Sequence, residues 1–85
     1  MTNSVVPKDF FANVSQRMPG ISCWEFTVPY RDGYFPVSGE LIHTGKGWRW
    51  YHEGKFSKNL YPNRQHAAYS AWMKFRKAEV AEYSS

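Results

Sequence analysis

The chain has 85 residues, a mass of 10.0 kDa and a formal net charge of +4. A single domain of this size buries about 64% of its unfolded surface, which excludes the two-domain cleft of most multi-substrate enzymes. Only 2 Leu and 2 Ile stand against 16 aromatic residues, so the core is expected to be built from Trp, Phe and Tyr. That composition favours strands and excludes a disordered chain.

No apolar run is long enough to span a bilayer. Met1 to Pro7 lacks the basic and apolar stretches of a signal peptide. A lone Cys23 cannot close an internal disulfide, and a small domain that manages without one is expected in the cytoplasm. The charge is uneven. Residues 1–42 carry −1, residues 43–77 carry +7 and residues 78–85 carry −2. A basic stretch of this kind points to an anionic partner.

Residues 1–6 read as a flexible tail, and residues 7–85 as one small domain. Pro7 suits the first position of a helix. Phe10, Val14 and Met18 recur at i, i+4 and i+8, so a short helix is predicted up to Pro19-Gly20. From Ile21 to Tyr30, Trp24, Phe26 and Val28 alternate with Cys23, Glu25 and Thr27, the period of a half-buried strand. Asp32-Gly33 between Tyr30 and Tyr34 is a strong hairpin signal. A second strand is predicted from Tyr34 to about Thr44, with a break or bulge near Ser38-Gly39. Gly45-Lys46-Gly47 turns the chain into a third strand, Trp48 to His52. Glu53-Gly54 turns it again into a fourth, Lys55 to Tyr61.

Asn63 reads as an N-cap, and a long helix is predicted from Arg64 to about Glu82. Its apolar stripe is Ala68, Ala71, Trp72, Phe75 and Ala78, with Ser70, Lys74 and Lys77 opposite. The expected fold class is α+β. It comprises a short N-terminal helix, an antiparallel meander of three to four strands and the long C-terminal helix packed on one face.

No catalytic or metal constellation emerges. His43, His52 and His66 have no ligand spacing, the carboxylates are few, and Gly45-Lys46-Gly47 is too short for a phosphate loop. Glu25 can oppose Glu40 across two strands only if the register allows it. Cys23 suits a small buried filler better than a nucleophile. A non-enzymatic protein without metal or cofactor is expected.

The informative stretch is 46–77. Lys46, Arg49, Tyr51, Lys55, Lys58, Asn59, Tyr61 and Arg64 interleave cations, phenols and an amide over two neighbouring strands and a helix start. Arg49 and Tyr51 share one strand face, and Ser57, Asn59 and Tyr61 are expected beside them. Trp48, Trp50, Phe56 and Leu60 are expected to face the helix. Such a basic-aromatic sheet face suits nucleic acid. Lys and Arg neutralise phosphates, Tyr stacks on unpaired bases, and a two-stranded ribbon fits the major groove. A merely solvated face is the plain alternative, since lysines on edge strands also discourage aggregation.

Gly47-Trp48-Arg49-Trp50-Tyr51, then Gly54-Lys55, then a polar strand and a helix from Arg64 resemble the three-stranded-sheet-plus-helix module at the amino terminus of many phage integrases. The resemblance implies a sheet inserted into a DNA major groove. The leading expectation is therefore a small accessory or regulatory nucleic-acid-binding protein in the style of phage or mobile elements, with DNA favoured over RNA. The alternative is an inhibitor or adaptor that docks on a larger host nucleic-acid-processing or defence enzyme. It would use the aromatic hairpin Tyr30, Arg31, Tyr34 and Phe35, steered by basic charge. Either a monomer or a homodimer fits.

Overall fold

The computed structural model describes residues 6–16, 23–31 and 33–78. It is an α+β fold of one five-stranded antiparallel sheet and one helix. The strands are β1 (Asn13–Gln16), β2 (Cys23–Val28), β3 (Val37–Thr44), β4 (Gly47–His52) and β5 (Lys55–Phe56), paired in chain order. The helix α1 (Arg64–Phe75) crosses one face, over β2, β3 and β4.

Several expectations need correction. The predicted N-terminal helix is absent among the described residues. Lys8 and Asp9 form a turn, and β1 follows along the edge of β2. Asn, Val and Ser are poor helix formers, and pairing satisfies the backbone groups of β2 that would otherwise lie at an edge. Phe10 and Val14 both reach the core, one from the loop and one from the strand. Met18 lies outside the described residues, as do residues 1–5 of the expected tail; Val6 packs against the core.

The sheet has five strands rather than three or four, and no bulge interrupts β3. Thr27, Phe26 and Glu25 oppose Ser38, Gly39 and Glu40 in step. Gly39 serves a close approach instead. A Cβ there would stand 2.6 Å from the Tyr51 carbonyl oxygen and 3.0 Å from the Phe26 ring.

The predicted fourth strand stops after Phe56. Ser57 is buried. Its hydroxyl accepts from Trp50 N at 3.3 Å and donates to the Asn59 carbonyl at 2.8 Å, which gives the backbone a partner outside the ladder. The chain bends at Lys58 and Asn59 and returns at Tyr61, which exchanges two 2.8 Å backbone bonds with Trp48.

The helix ends at Phe75, well before Glu82. Arg76 leaves it with ψ 142, Phe35 N donates to the Lys77 carbonyl at 3.0 Å, and Ala78 bridges Tyr34. Pairing with the hairpin outweighs the helix propensity of Lys77 and Ala78, because tertiary contacts supply most helix stability. Residues 79–85 lie outside the described residues.

The turns follow their residues. Glu53 and Gly54 both adopt positive φ, at 48 and 82, as a two-residue hairpin turn requires. Gly33 has φ 81, and Arg31 and Tyr34 exchange backbone bonds around it; Asp32 lies outside the described residues. The Asn63 side chain accepts from His66 N at 2.8 Å and caps α1.

The core lies between α1 and the sheet. Phe26, Val28 and Leu41 are fully buried beneath Ala67, Ala68, Ala71 and Trp72. Small alanines let the helix approach closely while Trp72 fills the remaining space. Ser70, expected to point away, faces the sheet instead. It accepts from Trp50 Nε1 at 3.3 Å and donates to the Tyr61 hydroxyl at 2.7 Å. No helix among the described residues is long and apolar enough to cross a membrane.

Candidate functional site

Among the described residues no helix covers the other face of the sheet. Its side chains follow from the register. Glu25, Glu40, Tyr51 and Phe56 form one row across β2 to β5, and Cys23, Ile42 and Arg49 form the next. Glu25 and Glu40 are direct partners, and Cys23 Sγ lies 3.5 Å from Glu40 Oε1. Acidic groups therefore occupy the middle of this face, and cations its β4–β5 end.

That end is where the basic residues converge. Lys46, Arg49 and Lys58 line one open groove of about 500 Å³, together with Thr44, Ser57 and Leu60. Lys46 sits on the turn whose amides are held by Thr44 Oγ1, at 3.1 Å from Lys46 N and 3.1 Å from Gly47 N. Among the described residues no carboxylate pairs with Lys46, Arg49 or Lys58. Three like charges around one depression raise the local positive potential. Arg49 lies over the Phe56 ring, 4.4 Å from its centroid, and its buried Nε finds no acceptor among the described residues. Tyr51 packs against the same ring at 4.7 Å.

Phe56 was expected to face the helix, but it is on the open face and 47% exposed. The two-residue turn at Glu53-Gly54 decides this. It pairs His52 with Lys55 and Tyr51 with Phe56, so Phe56 must share the face of Tyr51. Hydrophobicity pointed inward and turn geometry overrode it. That turn was the signal that could have identified Phe56. Leu60, also expected inside, is 44% exposed and lines the groove.

The remaining expected residues separate. Tyr61 was expected beside Arg49 but lies on the helix side, its hydroxyl bonded to Ser70 and its ring 5.1 Å from His66. Arg64 lies on that side too, 4.2 Å over Trp24 and 5.6 Å over Trp48. Ser57 is a buried bridge and not a surface donor. Lys55 is exposed at the sheet edge opposite His52, and Asn59 is exposed at the following bend. Of the eight expected contact residues, Lys46, Arg49 and Lys58 share the groove, and Tyr51 adjoins it through Phe56.

The hairpin set is also divided. Tyr34 packs edge-on against Trp72 at 5.7 Å, beneath the Arg76 guanidinium at 4.2 Å. Arg31 donates to the Asp9 carbonyl at 2.6 Å and lies over Phe10. Tyr30 and Phe35 stay exposed. In comparisons with known proteins, no family model, curated protein or solved structure matches the chain.

Proposed function

We propose that the chain is a small non-enzymatic nucleic-acid-binding protein whose contact surface is the β4–β5 end of the open sheet face. The observation that carries this reading is the groove where Lys46, Arg49 and Lys58 meet without a carboxylate partner among the described residues, beside the exposed ring of Phe56. Lys46 and Lys58 neutralise neighbouring phosphates. Arg49, over the Phe56 ring, offers planar N–H donors to a phosphate or a base edge. Phe56 and Tyr51 offer stacking surface to an unpaired base. Glu25 and Glu40 repel a backbone laid across the middle of the sheet, so the strand tracks the β4–β5 edge.

The proposed role is an accessory or regulatory one in the cytoplasm, with DNA favoured over RNA. Exposure of Tyr30 at 54%, with Phe35 beside the same hairpin, favours the second reading of an inhibitor or adaptor that docks on a larger enzyme. Fluorescence anisotropy with labelled single strands and duplexes at low salt separates the two. Nucleic acid is expected to bind with a salt slope of about −2 to −3 on a log–log plot. In the Lys46→Ala/Lys58→Ala double variant the slope is expected to fall in magnitude by about 1.5. An unchanged slope removes the groove as the contact surface, and no binding at low salt removes the nucleic-acid reading.

A further inference from the structure

A second cationic site lies on the helix side, at the opposite end of the sheet. The groove borders the end where Thr44 pairs with Gly47; this site borders the end where Val28 pairs with Val37. There Arg31, Arg76 and Trp72 line a cavity of about 200 Å³ together with Phe10, Tyr69 and Asp9. Trp72 is only 5% exposed, yet its Nε1–H finds no acceptor among the described residues. A buried donor without a partner is costly, and native structures rarely carry one without a reason. Both guanidiniums are held in place by rings. Arg76 lies 4.2 Å over Tyr34 and 4.8 Å over Trp72, and Arg31 lies 5.3 Å over Phe10 while donating to the Asp9 carbonyl. A guanidinium over a ring still carries five N–H donors in its own plane.

We infer that this cavity is an oxyanion site that takes a phosphate or carboxylate end group. Every nitrogen contributed by Arg31, Arg76 and the Trp72 indole is a donor, and the aromatic walls lower the local dielectric and strengthen each bond to an anion. The volume is below the roughly 300–1,000 Å³ of sites that enclose a whole small molecule, so one charged end group is what fits. The Asp9 carboxylate opposes binding. Asp9 is exposed, and Arg31 donates to its backbone oxygen, a bond that Asp9→Asn keeps.

The test is a titration of ¹⁵N-labelled protein with inorganic phosphate, and separately with acetate, at fixed pH and ionic strength. The Trp72 indole N–H resonance, assigned with Trp72→Phe, is expected to shift and saturate. The Trp50 indole, bonded to Ser70, is expected to stay in place. Asp9→Asn is expected to tighten binding about two- to fivefold, and Arg76→Gln to weaken it about tenfold or more. Lys58→Ala should leave it unchanged, which separates this site from the groove. Saturation by phosphate alone assigns a phosphate end group, and saturation by acetate alone a carboxylate. Failure of both to saturate overturns the inference. So does an affinity unaltered by Asp9→Asn, a variant that decides the matter even if Arg76→Gln does not fold.

Discussion

The two faces of the sheet both carry aromatic rings and obey different rules. Beneath α1, Phe26, Leu41 and Trp50 are buried, and the one indole nitrogen of that group is bonded to Ser70. On the open face the row Glu25, Glu40, Tyr51 and Phe56 mixes acid, phenol and an exposed phenyl ring. Burial explains the first set. It does not explain Phe56, which is 47% exposed beside Arg49. Register holds this ring outward, with the Arg49 guanidinium over it.

If that contrast is right, substitutions on the two faces should separate stability from binding. Phe26→Ala opens a cavity under the helix and is expected to cost about 3–5 kcal/mol in denaturant unfolding. A loss below about 1 kcal/mol would mean the covered face is not the core. Gly39→Ala forces a Cβ against the Tyr51 carbonyl and the Phe26 ring, and about 1–3 kcal/mol should be lost. Ser57→Ala leaves Trp50 N without its side-chain acceptor. It is expected to cost about 1–2 kcal/mol and to raise amide exchange along residues 57–61. Phe56→Ala is the sharpest probe of the open face. Stability should change by less than about 1 kcal/mol, while single-strand affinity at low salt falls by roughly 1–3 kcal/mol. The reverse pattern, unfolding without loss of affinity, would turn Phe56 into a core residue.

Much of the architecture was legible in the chain. Alternation in Cys23–Val28, the Glu53-Gly54 turn and the Asn63 cap all act over a few residues, and each appears where the residues place it. The concentration of charge between residues 43 and 77 was likewise visible, and three of its cations line one groove. The possible pairing of Glu25 with Glu40 became definite only with the β2–β3 register.

Other features depended on partners distant in sequence. Asn13–Gln16 became a strand because β2 offered an edge, and the spacing of Phe10 and Val14 imitated a helix that does not form among the described residues. Lys77 and Ala78 left the helix because the Arg31–Tyr34 hairpin offered backbone partners. Tyr61 parted from Arg49 because Ser57 interrupted the ladder and Ser70 supplied its hydroxyl with a partner.

Local chemistry by itself determined the turns, the helix start, the alternating strands and the sign of the charge, since each depends on a residue and its near neighbours. Only the tertiary structure decided which rings are covered, where the helix stops and which cations meet. Those outcomes depend on strand register and on competition for backbone hydrogen bonds between segments far apart in the chain.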